Sequence, residues 1–174
     1  MKHFALATVI ALVVAACGGV AGPEDPAQAS AEMMAVALVQ LITVDHTFGE
    51  GPPPFTEYLI QSSLDPFAGD PTGDGGPGRA LTADEQAAIE AAVAPFGPVR
   101  WIDDPAEWRT EDLRPTIEGA VILGVGEPVI DGTTGLVPVS LWCGGLCGTW
   151  LTYRLDFVDG AWSVTGTEGP RAIS

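Results

Sequence analysis

Apolar and polar side chains alternate along residues 149–158: Leu151, Tyr153, Leu155 and Phe157 share one face, Trp150, Thr152, Arg154 and Asp156 the other. Period two marks a strand with one buried face. Asp159-Gly160 follows, a pair suited to a type I′ turn because both central positions need positive φ. A two-residue loop there sets Phe157 opposite Trp162 and Leu155 opposite Val164, so the apolar positions coincide. One strand earlier, facing Cys143 with Cys147 across Gly144-Gly145-Leu146 pairs Leu141 with Thr149, Val139 with Leu151 and Val137 with Tyr153, again on the apolar face. A further strand over 120–130 puts Val121, Leu123, Val125 and Val129 in phase across a turn at 131–135. These runs predict a four-stranded antiparallel meander with one apolar face.

Upstream the period changes. Ser30 offers a helix N-cap, and Met33, Met34, Val36, Leu38, Val39, Leu41, Ile42 and Val44 wrap most of the way round the helix that follows. A helix apolar on nearly all sides is normally buried, and the apolar face of the meander is the place for it. Residues 55–64 fit a short strand or a helix, and periodicity does not decide which. Residues 65–79, rich in Gly, Pro and Asp, read as a loop. Thr82-Ala83-Asp84-Glu85 is a capping box opening a second helix, with an apolar stripe of Ile89, Ala92, Val93 and Phe96 and a stop at Gly97-Pro98. Residues 99–102 read as a strand, and 103–115 as a polar connection. The expected fold is α+β, with two N-terminal helices packed on the C-terminal meander in one domain over 30–174.

The N-terminus is of another kind. Lys2 and His3 precede an apolar run from Phe4 to Val14, too short for a resident span, which needs roughly 20 apolar residues. Val14-Ala15-Ala16-Cys17 follows, then Gly18-Gly19. This resembles a bacterial lipobox, in which the Cys sulfur is acylated and the chain cleaved before it. The resemblance implies a signal peptide over 1–16, a lipidated Cys17 and a tether over 17–29. It also implies a membrane partner through the lipid alone, on the extracytoplasmic face of the cell membrane.

Charge narrows the partners. Seven Lys and Arg stand against 23 Asp and Glu, a formal net charge of −16. Removal of 1–16 takes away Lys2 and leaves six Arg as the whole basic complement. Such a surface repels nucleic-acid phosphates and anionic headgroups, whose binding rests on basic contacts. No nucleic-acid partner is expected.

Little chemistry is concentrated in the pattern. His46, beside Asp45, is the sole histidine after residue 16, so Ser-His-Asp or Cys-His catalysis would have to use it. Cys143 and Cys147, in an exported chain and a hairpin register that brings them together, read as a disulfide. Thiol–disulfide exchange at this pair is the alternative, although redox dithiols of the thioredoxin type use a tighter spacing at a helix start. Zinc would need two further ligands, and Asp70, Thr72 and Asp74 miss the EF-hand spacing for calcium. No metal and no cofactor is expected. Trp142 and Trp150 fall opposite the apolar stripe and are candidates to line a ligand site.

From 137 to 164 the chain resembles the tail of a set of uncharacterised exported bacterial lipoproteins. The shared residues are Cys143-Gly144-Gly145-Leu146-Cys147-Gly148, then an apolar strand, then Gly160-Ala161-Trp162-Ser163-Val164. That resemblance implies no activity. The arrangement of helices on a curved sheet is similar to cystatin and nuclear-transport-factor-like architectures, which host enzymes and binding modules alike. The leading expectation is a lipid-anchored, non-enzymatic binding or interaction module of the cell envelope. The alternative is an extracytoplasmic enzyme, either a thiol–disulfide exchanger at Cys143/Cys147 or a hydrolase using His46.

Overall fold

The computed structural model describes residues 22–49, 51, 54–73 and 75–174. The signal segment, Cys17 and the first part of the expected tether lie outside the described residues.

The first helix, α1 (Pro26–Thr43), starts four residues before Ser30. Asp25 is the cap: its carboxylate accepts from the backbone N–H of Ala27 at 2.9 Å and Gln28 at 3.4 Å, and Pro26 sets the first helical φ. The extra turn lets Ala29 join the core, while Ser30 donates instead to Glu85 at 3.2 Å. Met33, Met34, Leu38, Leu41 and Ile42 are fully buried, each worth about 1.5–3 kcal/mol of transfer free energy. No described helix is long and apolar enough to cross a membrane.

The undecided segment resolves as a strand, β1 (Glu57–Gln61). It is followed by α2 (Ala83–Val93), opened by the Thr82–Glu85 capping box, and by β2 (Val99–Ile102). Then come β3 (Ala120–Val125), β4 (Val129–Asp131), β5 (Thr134–Gly144), β6 (Cys147–Val158) and β7 (Ala161–Ile173). The spatial order is β2-β1-β3-β5-β6-β7, with β4 also on β5. β1 runs parallel to both β2 and β3.

The expected four-stranded antiparallel meander is therefore incorrect: the sheet has seven strands and is mixed. With parallel strands inside it, the likeness to cystatin and nuclear-transport-factor-like architectures falls as well. The reasons are local. Tyr58, Leu59, Ile60 and Gln61 are buried in succession, so β1 lacks the alternation that betrays a half-exposed strand. The run expected over 120–130 is interrupted at Gly126-Glu127-Pro128, where Pro128 has no N–H to give a ladder.

Where alternation is clear, the registers match. Phe157 faces Trp162 and Leu155 faces Val164 across Asp159-Gly160, whose φ values are 54° and 82°. Val137, Val139 and Leu141 face Tyr153, Leu151 and Thr149. The other end of that hairpin differs. Gly144, rather than Cys143, is opposite Cys147, and Cys143 sits in a bulge after Trp142.

The two faces of the sheet are covered differently. α1 and α2 close one, over a core that includes Tyr58, Leu123, Val139, Leu151 and Tyr153. Leu59, Ile102, Ala120, Ile122 and Trp142 point the other way, and the connection from β2 to β3 crosses over them with Trp108 and Ile117. This alternation is what right-handed crossovers in opposite directions require: β1 to β2 one way, β2 back past β1 to β3 the other.

Candidate functional site

The parallel strands leave a crevice beyond their carboxyl ends, the usual place for ligands in sheets of this kind. β1 runs out through Gln61 into Ser62 and Ser63, and β2 into Asp103. Over them folds the loop that opens at Asp65. The Asp65 N–H donates to the Val125 carbonyl at 2.8 Å and the Gly69 N–H to that of Val139 at 3.0 Å, so the loop lies back on the helix-free face. The Asp65 carboxylate is buried. One oxygen accepts from the Phe67 N–H at 3.0 Å and the other from the Ser140 hydroxyl of β5. This packing needs glycine at position 124, because a Cβ there would run into both Asp65 and Ser140.

The result is a cleft of about 490 Å³, within the range of small-molecule sites. Ile122, Trp142 and Trp150 form its apolar wall, and Pro66 and Phe67 its lip. The two tryptophans singled out as ligand-lining candidates thus come from neighbouring strands into one cavity. Polar groups converge on the same space. Asp103 accepts from the Ser62 hydroxyl at 2.5 Å. The Arg109 guanidinium lies over the Trp142 ring, 4.6 Å from its centroid, and forms no salt bridge among the described residues. Gln61 is only 9% exposed, and its side-chain amide has no hydrogen-bond partner among the described residues. Its amide atoms are not among the fully buried polar atoms and open to the cleft.

The other candidates lie elsewhere. His46 is buried beyond α1 beside Phe48 and Phe55. Its Nδ1 accepts from the Phe48 N–H at 3.3 Å, leaving Nε2 to donate to the Gly51 carbonyl at 3.4 Å. Asp45 turns away from it and accepts from the Tyr153 hydroxyl at 2.8 Å; burial, then that hydrogen bond, pushes the phenol pKa upward. Cys143 and Cys147 are paired at disulfide distance, with Cα atoms 5.1 Å apart. Cys143 borders a second, larger cavity of about 790 Å³ near Phe48 and Leu113. Cys17 lies outside the described residues. So does Asp74; Asp70 is bound to Thr72, whose hydroxyl and N–H depress its pKa. No group of three potential metal ligands occurs among the described residues.

Gln61, Asp65, Arg109 and Ser140 were not visible as site residues in the sequence, because they come from three separate stretches, around 61–65, 109 and 140, with no motif joining them. The one signal was the Gly-, Pro- and Asp-rich loop, which reads equally as solvated. No protein-family model, curated protein or solved structure matches the chain.

Proposed function

We propose that the protein is a lipid-anchored binding module on the extracytoplasmic face of the cell membrane, and that it holds a small ligand in the cleft beyond β1 and β2. The anchor reading rests on the lipobox-like run ending at Cys17. The binding reading rests on one observation above the others: Gln61 is nine-tenths buried against an aromatic-walled cleft with its amide unbonded to any described residue. Its amide is not among the fully buried polar atoms, so its donor and acceptor open to the cleft, where a ligand can meet both. The enzymatic alternative has less support, since both nitrogens of His46 face backbone groups.

Ligand-observed NMR on the detergent-solubilised mature protein tests this. The panel holds amino acids, dipeptides, mono- and disaccharides, nucleosides and short fatty acids. At least one class binds the wild type and weakens about tenfold or more in Gln61→Leu and Trp150→Ala, with folding checked by circular dichroism. A panel without binders, or binding indifferent to both substitutions, sinks the reading.

A further inference from the structure

Six arginines are the whole basic complement after residue 16. Arg79, Arg100, Arg154 and Arg171 each face a carboxylate. Arg109 and Arg114 do not, and of these two Arg109 lines one cleft with Asp65 and Asp103. In a chain this acidic, a guanidinium with two aspartates around the same cavity would be expected to close on one of them. Instead it lies over the Trp142 ring, where the ring face meets part of its charge, and its N–H groups have no hydrogen-bond partner among the described residues, which leaves them for an anion. Asp103 spends one oxygen on Ser62, and its other oxygen has no partner among the described residues. The cleft thus carries opposite charges that do not neutralise each other.

Each simpler ligand leaves one of these charges uncompensated. A bare anion meets Arg109 but also two carboxylates. A bare cation meets the carboxylates but also Arg109. A neutral sugar would want an open ring to stack on, and Trp142 is covered on one face by the guanidinium. A molecule carrying both charges answers both. We infer that the cleft binds a compact zwitterion, an α-amino acid or dipeptide with an apolar side chain. Its carboxylate sits on Arg109, its ammonium on Asp103 with the Asp65 charge behind, and its side chain against Ile122, Trp150 and Phe67. Gln61 supplies a donor and an acceptor to the ligand's backbone-like atoms. The inference rests on the binding reading above and names the ligand class of that same site.

The test is calorimetric titration of the solubilised mature protein, at low salt, with four probes: leucine, leucyl-leucine, N-acetyl-leucine and leucinamide. Leucine or leucyl-leucine binds, and the one that binds more tightly tells a free amino acid from a peptide as the natural source. Both singly charged analogues are weaker by about tenfold or more, as loss of a charge-assisted bond requires. Arg109→Gln abolishes the preference over leucinamide, and Asp103→Asn the preference over N-acetyl-leucine; both residues are exposed, so the fold is kept. An analogue that binds as tightly as the zwitterion overturns the inference. So does the absence of binding by both leucine and leucyl-leucine. In that case a saccharide or fatty acid whose binding needs Gln61 and Trp150 preserves the binding reading, whereas a panel without binders removes both.

Discussion

Glu85, in the first turn of α2, and Asp65, at the start of the loop before it, are buried carboxylates, and different neighbours make each tolerable. Glu85 receives both arms of the Arg79 guanidinium at 2.8 Å, the Thr82 N–H at 2.8 Å and the Ser30 hydroxyl. The Arg79 hydrogen bonds dominate and lower its pKa from 4.5 to about 2. A carboxylate whose folded pKa is depressed contributes stability that is fully present above its unfolded value and lost as pH falls through the folded one. Stability tied to Glu85 therefore drains away between pH 4.5 and about 2. Arg79 is 40% exposed, so screening keeps the contribution to about 1 kcal/mol. Thermal melts across that window will show the wild type losing its advantage over Glu85→Gln as pH drops; parallel curves would show that the pair contributes nothing. The capping-box half of this arrangement was evident from Thr82 and Glu85 alone. The other half was not, because Arg79 also reaches Glu127 at 3.0 Å, 48 residues along the chain.

At the level of elements, the β5–β6 hairpin shows how a register can be right while its end is not. Val137, Val139 and Leu141 hold their partners on the buried face, where a slip of one residue would turn every apolar side chain to the wrong side. Nothing comparable constrains the tip: Leu146 is 94% exposed, and the strand takes up a bulge at Cys143 instead of the wider loop. With a bond joining Cys143 to Cys147, the closed loop is short, and the chain-entropy gain is about 2 kcal/mol. Urea unfolding should place the Cys143→Ser, Cys147→Ser double variant lower by about that amount, with the slope against denaturant little changed. Wild-type protein whose midpoint is the same with and without reductant would argue that the two thiols are not bonded in solution. β1 teaches the converse. A strand buried on both faces carries no alternation, and its five residues could be read either way until its neighbours were known.

For the whole molecule, charge bears on the proposed anchor. With a formal net charge of −16 over the full chain, the protein is repelled by anionic headgroups, so the proposed attachment would rest on acyl chains, worth about 0.8 kcal/mol per buried CH₂. Proposed lipidation at Cys17 then predicts an all-or-none outcome. Cys17→Ser should move the protein from the membrane pellet to the soluble fraction, and the intact mass should lose its acyl increment. A variant that stays in the pellet through a high-salt wash would refute the anchor. The same acidity sharpens the cleft. Against a surface of carboxylates, Arg109 lies on Trp142 in the cleft without a salt bridge among the described residues.

What the sequence determined by itself is what short-range chemistry dictates. Period-two alternation and Asp159-Gly160 set the β6–β7 pairing, apolar residues all round α1 placed that helix in the interior, and Thr82 opened α2. Each of these is a choice made within a few residues, where sterics and solvent exposure leave one answer. Tertiary structure alone decided the parallel pairs and the cleft. β1 meets β3 across about sixty residues, through crossovers that leave no local signature, because pairing partners for a doubly buried strand are chosen by the packing of the layers above and below it. Gln61, Asp65, Arg109 and Ser140 share a cavity for the same reason. The sheet brings together what the chain keeps apart.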